Sequence, residues 1–321
     1  MADIVVTRPL IEEGLDGLDA HHTVTVHDPP HGRDRTAEDV IAMAQSADAL
    51  VPTVADPVPA AVFEACPDLR LVAQYGVGLD NVDLAAAEDH GVVVTHTPGV
   101  LTEATADFTW ALLLAVARHV RAADRYVRNG RFERWETNLL LGMELSGKTI
   151  GIVGLGRIGA AVARRALGFG MDVVYHSRTR ANPTVERQVG ATRVDFETLL
   201  DGSDIVSLHC PLNEESHHLI DAAALHRMKP TALLVNTARG PIVDEAALVE
   251  ALSDNQIAGA GLDVFEDEPS VHPGLQETER VVLAPHLASA TREARIRMGQ
   301  MCVESLQAFF DAADDVPHRA V

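Results

Sequence analysis

The chain has 321 residues and a formal net charge of −21, so it is long enough for two domains. The acidic excess makes nucleic acid and anionic membranes poor partners. The longest apolar run, residues 110–117, is too short to span a bilayer, and the first residues show no secretory or transit pattern. We therefore expect a cytoplasmic protein.

Lysine is scarce in this chain. Of the 26 lysines and arginines, only Lys148 and Lys229 are lysines. An acidic surface with few lysines is typical of a halophile, in which salt screens the self-repulsion of the chain. The alternative is an ordinary acidic protein from an arginine-biased genome. We favour the halophile as a hypothesis.

Cysteines and histidines show no metal-ligand spacing, and no metal site is expected. Cys66, Cys210 and Cys302 are widely separated, and we interpret them as buried reduced thiols. The histidine pairs at 21–22 and 217–218 are interpreted as surface residues.

Strand-like and helix-like runs alternate along the first third of the chain. The strand-like runs are residues 4–6, 23–26, 49–51, 71–75 and 91–95, and the helical runs between them are residues 11–18, 37–45 and 60–65. This alternation predicts a parallel sheet covered by helices on both faces.

A longer helix is predicted from Thr102, as its N-cap, to about residue 120. Residues 121–144 are polar with scattered aromatics and are too long for a simple connection. Later strand-like runs are residues 149–153, 172–175, 205–208, 232–235, 259–262 and 281–283, and residues 291–310 form a final amphipathic helix.

A glycine fingerprint follows the strand at residues 149–153. Gly154, Gly156 and Gly159 have G-x-G-x-x-G spacing, and a helix is predicted at residues 160–168. Gly154 permits a tight turn, Gly156 lets the backbone approach a pyrophosphate, and Gly159 lets helix and strand pack closely. The free N–H groups of the helix suit phosphate oxygens, so the motif predicts dinucleotide binding.

Three charged residues each lie just past an apolar strand-like run: Arg239, Glu268 and His286. An arginine holds a carboxylate through two parallel hydrogen bonds. A histidine paired with a carboxylate delivers a proton to a carbonyl oxygen. Together with a hydride donor, these residues suit the reduction of a 2-keto acid.

The end of the second strand after the fingerprint lacks the carboxylate that grips an NAD ribose. Ser177, Arg178 and Thr179 stand there instead, while Asp172 lies at the strand's start. A hydroxyl with guanidinium groups favours a 2′-phosphate, and no carboxylate is expected to repel it. We predict NADPH over NADH, with NADH possible; the alternative is that the arginines point to solvent.

Over essentially its whole length the chain resembles D-2-hydroxyacid dehydrogenases, and most closely the glyoxylate/hydroxypyruvate reductase branch. Besides the fingerprint, the motifs that carry the resemblance are residues 75–83, 97–107, 208–212, 236–241, 262–269 and 285–291. The resemblance implies an α/β fold of two doubly wound parallel-sheet domains with an interdomain cleft.

The domains implied by the resemblance are a flavodoxin-like substrate domain and a Rossmann-like cofactor domain. The substrate domain is discontinuous, with residues 1–100 and 288–321, and residues 101–287 form the dinucleotide-binding domain. Residues 121–144 resemble the family's dimerisation arm, which implies a homodimer. Trp135 is a candidate for contact with the partner, and the alternative is core packing within its own subunit.

The resemblance also implies roles for individual residues. His286 is the general acid, Glu268 orients it, and Arg239 binds the substrate carboxylate with the backbone N–H groups of Val77 and Gly78. Asp263 hydrogen-bonds the nicotinamide carboxamide. The other cofactor-binding candidates are Thr102, Arg157, Ile158, Cys210, Pro211 and Thr237.

The implied function is NAD(P)H-dependent reduction of a small 2-keto acid to the D-2-hydroxy acid, with glyoxylate and hydroxypyruvate favoured. Phosphoglycerate, pyruvate or a larger acid are alternative substrate classes. A dinucleotide-sensing corepressor that binds partner peptides is the alternative from another functional class.

Overall fold

The computed structural model describes residues 1–30, 33–311 and 315–321, and the chain divides into two compact units. The first unit comprises Met1–Leu101 and Ala290–Val321, and the second comprises Thr102–Ser289. Each unit is built on one parallel sheet. The prediction of an α/β protein with two parallel-sheet domains is therefore confirmed.

The strands within the described residues are β1 (Asp3–Val6), β2 (Thr23–Val26), β3 (Ala49–Val51), β4 (Leu71–Ala73), β5 (Val93–Thr95), β6 (Thr149–Val153), β7 (Asp172–His176), β8 (Ala191–Arg193), β9 (Ile205–Leu208), β10 (Leu233–Asn236), β11 (Gly259–Leu262) and β12 (Val281–Leu283). The α-helices there are α1 (Ala37–Ala44), α2 (Ala60–Ala65), α3 (Leu84–Asp89), α4 (Thr102–Ala117), α5 (Val120–Arg128), α6 (Arg157–Gly168), α7 (Pro183–Val189), α8 (Phe196–Gly202), α9 (Ala222–Arg227), α10 (Glu245–Ser253), α11 (Pro273–Glu277) and α12 (Arg292–Phe310). Short 3-10 helices occupy Glu12–Gly14 and Gly240–Ile242.

The sheet of the first unit has the strand order β2-β1-β3-β4-β5. Its buried side chains pack with those of α1, α2 and α3 in one apolar cluster. The last helix, α12, contacts β4 and the first 3-10 helix. That contact is close, because a Cβ added at Gly299 would lie 2.6 Å from the carbonyl oxygen of Gly14.

The sheet of the second unit has the strand order β12-β11-β10-β9-β6-β7-β8. Alternate strand residues enter two apolar clusters: one includes Val153 and Leu234, and the other includes Ile152 and Val235. Both faces are therefore buried, which explains why these strands read as continuous apolar runs. Strands β7 and β8 lie on one side of β6, and β9, β10, β11 and β12 lie on the other side. A topological switch point therefore lies beside β6.

Several predicted boundaries are wrong. The predicted helix at residues 11–18 is only the 3-10 turn Glu12–Gly14. Helix α4 includes Thr102 as its first residue instead of being capped by it, and it ends at Ala117. His119 has a left-handed backbone with φ 51°, which breaks the helix before α5 begins.

Two side-chain interpretations also need correction. His22 is buried and lies against Phe310, with ring centroids 5.2 Å apart, so it is not a surface residue. Cys66 and Cys302 are buried, but Cys210 is only partly buried.

Within the described ranges, no group of three or more His, Cys, Asp or Glu residues could hold a metal ion. The same part of the chain has no helix of the length and apolarity that a membrane crossing requires.

Candidate active site

The predicted residues of the second unit gather at one edge of its sheet. In a parallel sheet all the carboxyl ends lie along the same edge, and ligands bind outside it near the switch point. The residues that follow these strand ends are Gly154 after β6, Ser177 after β7, Cys210 after β9, Thr237 and Arg239 after β10, Asp263 after β11 and His286 after β12.

The glycine loop has the geometry that a dinucleotide needs. Gly154 has φ 95°, and an added Cβ would lie 2.7 Å from the backbone nitrogen of Cys210. A Cβ on Gly159 would lie 2.1 Å from the carbonyl oxygen of Gly154, whereas one on Gly156 would meet nothing within 4 Å. Gly154 and Gly159 are thus required for packing within the protein. Of the three glycines, only Gly156 has free space beside its backbone.

Helix α6 begins at Arg157, directly after this loop, and Ile158 is its second residue. Its N-cap residue is Gly156, which has no side chain to cap the first N–H groups. The first N–H groups of an uncapped helix and the helix dipole attract anions. The residues present therefore fit the pyrophosphate of a dinucleotide.

At the predicted ribose end, Ser177 and Arg178 contact residues that the local sequence did not indicate. The Ser177 hydroxyl accepts a hydrogen bond of 3.0 Å from the backbone N–H of Leu155 in the glycine loop. Arg178 is exposed and forms a 2.8 Å ion pair with Glu215. The expectation that no carboxylate lies here is therefore wrong, and Glu215 was missed because it follows a different strand, β9. Asp172 begins β7, at the opposite end of that strand from Ser177, as predicted.

Sequence reasoning also missed Arg193, the last residue of β8. Its guanidinium donates hydrogen bonds of 3.0 Å and 3.1 Å to the carbonyl oxygens of Ser177 and Arg178. The turn that ends at exposed Thr179 is thus braced by a second guanidinium. The pairing of β7 with β8 brings Arg193 there, and β8 itself was not predicted.

The remaining cofactor candidates lie in different settings. Thr237 is buried, and its hydroxyl lies 2.8 Å from that of Thr109 on α4. Burial raises the pKa of the Cys210 thiol to about 11, so this thiol stays protonated at neutral pH. Pro211 is exposed, and Thr102 is half-buried at the start of α4.

His286 and Glu268 form the hydrogen-bonded pair that the sequence predicted. His286 Nδ1 lies 2.8 Å from Glu268 Oε2, and the other carboxylate oxygen accepts from the backbone N–H of Phe265 at 3.0 Å. Burial opposes ionisation of Glu268, but the hydrogen bond from His286 and its charge outweigh burial and lower the pKa. An ionised carboxylate only accepts, so Nδ1 donates and Nε2 remains for another partner.

Arg239 stands in a loop that is tightly tied to β10. Asn236 donates from its side chain to the carbonyl oxygen of Arg239 at 2.8 Å and accepts from the backbone N–H of Ala238 at 3.0 Å. The charge of Arg239 also contributes to the lowered pKa of Glu268. The structure thus brings Arg239, Glu268 and His286 into one electrostatic environment.

Asp263 has a role that the sequence did not predict. The residue is fully buried, and its two oxygens accept from the backbone N–H groups of Leu287 and Ala288, each at 2.7 Å. Burial raises its pKa to about 6. This carboxylate therefore fixes the turn that begins at His286.

Val77 and Gly78 lie in the first unit, in a loop after β4. The carbonyl oxygen of Val77 lies 3.0 Å from His96 Nδ1, and that of Gly78 accepts from the Gln74 side chain at 3.3 Å. Thr97 donates its N–H to the carbonyl oxygen of Gly76 at 2.9 Å. The loop is thus held by its own unit through its carbonyl groups.

Residues 110–288 match the family described as D-isomer specific 2-hydroxyacid dehydrogenase, NAD binding domain. The chain is 50% identical over 312 residues to a glyoxylate reductase of Korarchaeum cryptofilum, covering 95% of this chain and 92% of that one. A glyoxylate reductase of Thermococcus litoralis is 46% identical over 322 residues, covering 99% and 96% of the two chains.

Two solved structures of similar proteins can be aligned with nearly the whole chain. An NADPH-dependent glyoxylate/hydroxypyruvate reductase from Sinorhizobium meliloti, in complex with NADP and malonate, is 34% identical with a TM-score of 0.88, covering 100% of this chain and 97% of that one. A glyoxylate reductase from Paecilomyes thermophila is 31% identical with a TM-score of 0.88, covering 99% and 98%.

Proposed function

Because the chain belongs to the D-isomer specific 2-hydroxyacid dehydrogenase family, we propose that it reduces glyoxylate to achiral glycolate and hydroxypyruvate to its D-2-hydroxy acid. The observation that carries the proposal is the 2.8 Å pair of His286 and Glu268 beside Arg239. The names of the similar proteins favour these substrates over other keto acids and over a dinucleotide-sensing corepressor.

His286 supplies the proton in reduction and removes it in oxidation. Its Nδ1 hydrogen is held by the Glu268 carboxylate, so Nε2 faces the substrate oxygen. The same carboxylate stabilises the protonated ring before transfer and keeps the ring orientation fixed. Glu268 stays ionised in this role because its pKa is lowered.

Arg239 binds the carboxylate of the keto acid through its guanidinium, which matches a carboxylate in shape and charge. In the first unit, which we propose as the substrate domain, the backbone N–H groups of Val77 and Gly78 are proposed to bind substrate. Gly78 suits a close approach because it has no Cβ.

The second unit is proposed as the cofactor domain, and a bound nicotinamide dinucleotide supplies the hydride. Gly156, Arg157 and Ile158 hold its pyrophosphate at the start of α6. Cys210, Pro211, Thr237 and Thr102 line the remaining length. Asp263 serves the nicotinamide end through the turn that it fixes after His286.

We propose that NADPH is preferred over NADH. Ser177, Arg178 and Arg193 place one hydroxyl and two guanidinium groups around the ribose-end turn. These groups favour a dianionic 2′-phosphate. Glu215 opposes the preference, because its carboxylate competes with the phosphate for Arg178.

We further propose a homodimer formed through residues 121–144. Five large apolar side chains in this segment are exposed, and the three most exposed are Phe132 at 60%, Trp135 at 77% and Leu141 at 68%. Exposed apolar patches of this kind mark protein–protein contacts. Light scattering on the wild type and on Trp135→Asp tests this, and a monomeric wild type would refute it.

The deciding experiment is a set of initial rates on glyoxylate and hydroxypyruvate with NADPH and NADH in parallel, in dilute and in molar salt. His286→Ala is the control for background reduction. Turnover that disappears in the control supports the proposal. A folded protein that binds cofactor but reduces neither acid would direct the search to larger keto acids, and then to a sensor.

A further inference from the structure

A second histidine–glutamate pair joins His218, in the segment between β9 and α9, to Glu266 in the loop that carries Glu268. His218 Nε2 lies 2.5 Å from Glu266 Oε1. Both side chains are partly exposed, by 35% and 27%. The pair is therefore accessible at the surface of the second unit, and the mechanism above does not use it.

Glu266 is held from its other side as well. Its second carboxylate oxygen accepts from the backbone N–H of Glu245, the first residue of α10, at 3.0 Å. The Glu245 carboxylate in turn accepts from the backbone N–H of Glu266 at 2.9 Å. Glu245 is buried, which raises its pKa. These reciprocal bonds fasten the Glu268 loop to the start of a helix.

His218 is also tied to the loop that carries Arg239. Its backbone N–H donates to the carbonyl oxygen of Pro241 at 2.8 Å. The two loops touch directly, because a Cβ on Gly240 would lie 1.8 Å from the carbonyl oxygen of Phe265. His218 has a left-handed backbone with φ 49°, a conformation that persists only where the surroundings impose it.

We propose that His218 and Glu266 are positioning residues that hold the Arg239 loop and the Glu268 loop in register for the reaction. The inference rests on the proposed function for its kinetic consequence. One loop carries the carboxylate-binding guanidinium and the other carries the partner of the proton donor. Small misplacements of such groups cost up to about 100-fold in rate.

The test uses four variants of the full chain. His218→Ala and Glu266→Gln weaken or remove the bond, His218→Gln keeps a donor at a comparable reach, and His226→Ala is the control for loss of an exposed histidine of the same unit. We expect His218→Ala and Glu266→Gln to lower kcat for glyoxylate by about 10- to 100-fold. The Kd for NADPH should stay within about twofold, and His218→Gln should recover most of the rate.

Hydrogen exchange followed by mass spectrometry gives a readout that needs no turnover. In His218→Ala, exchange should rise in residues 239–243 and 263–268 and stay unchanged in residues 154–159. If the wild type reduces neither keto acid, the proposed function fails, and this exchange pattern still decides the positioning role. Unchanged exchange with unchanged kcat overturns the inference, as does a loss of kcat matched by an equal loss of NADPH affinity. Should His218→Ala fail to fold, Glu266→Gln and His218→Gln carry both tests.

Discussion

His286 takes a left-handed backbone with φ 54°, and its N–H donates to the carbonyl oxygen of Asp263 at 2.8 Å. The Asp263 carboxylate then accepts from the next two N–H groups along the chain. A β-carbon makes this backbone conformation unfavourable. The buried aspartate is therefore the element that keeps the histidine in place.

This arrangement predicts how the rate responds to acid. The pKa of Asp263 is raised by burial to about 6, so the carboxylate is ionised above this pH and protonated below it. A protonated carboxyl loses acceptor capacity for the two N–H groups, and the turn at His286 loosens. We therefore expect kcat for reduction to fall below about pH 6; a kcat that is flat or rising down to pH 5 contradicts the role of Asp263.

Replacement of the proton donor should remove most of the activity. We expect His286→Ala to lower kcat by about 100- to 10,000-fold, the range for loss of a general acid. Glu268→Gln should lower kcat less, because the ring remains but its Nδ1 hydrogen loses a charged acceptor. Steady-state kinetics with saturating NADPH measure both, and a near-wild-type His286→Ala would refute the assignment.

The glycine loop offers a matched pair of variants. A methyl group on Gly156 meets no protein atom within 4 Å, whereas one on Gly159 meets the Gly154 carbonyl oxygen at 2.1 Å. Gly156→Ala should fold normally but lose about tenfold or more in NADPH affinity, on the order of 1.4 kcal/mol. Gly159→Ala should lose on the order of 1–3 kcal/mol of unfolding free energy through overpacking. Calorimetry and denaturant unfolding separate the two effects.

The ribose end predicts opposite effects for two partners of one ion pair. Arg178→Ala should weaken NADPH far more than NADH, because it removes a cation from the 2′-phosphate site. Glu215→Gln should strengthen NADPH selectively, because it frees Arg178 from its 2.8 Å carboxylate partner. The ratio of kcat/KM for the two cofactors measures both. Equal changes for NADPH and NADH in Arg178→Ala would remove the argument for a phosphate site.

The net charge of −21 predicts that salt stabilises the fold. Repulsion among acidic side chains is screened over about 10 Å at 0.1 M salt and about 3 Å at 1 M. Thermal unfolding in dilute and in molar sodium chloride should therefore show a higher Tm in molar salt. An unchanged Tm would end the halophile hypothesis.

The parts of the site that the sequence predicted are those in which local pattern determines geometry. The spacing of Gly154, Gly156 and Gly159 between a strand and a helix leaves few conformations. Arg239 and His286 were located because strand ends share one edge of a parallel sheet. No knowledge of distant pairing was needed for these residues.

The parts that were missed depend on which loops the sheet order places side by side. Glu215 meets Arg178 from 37 residues away, and Glu266 meets His218 from 48 residues away. Nothing in either local sequence marks these pairs. The cofactor role of Asp263 came from the family resemblance and stays a prediction, and only its burial and its two backbone partners reveal the turn that it holds.

The close contact of Gly14 with Gly299 has a consequence for how the protein is made. The five strands of the first unit leave the ribosome early, yet the helix that covers β4 follows the entire second unit. Residues 102–289 number 188, which corresponds to roughly 10–40 s of synthesis at about 5–20 residues per second. During that interval the nascent sheet lacks its last helix, while the second unit can complete itself without interruption. We expect the amino-terminal third of the nascent chain to be the portion that chaperones shield longest.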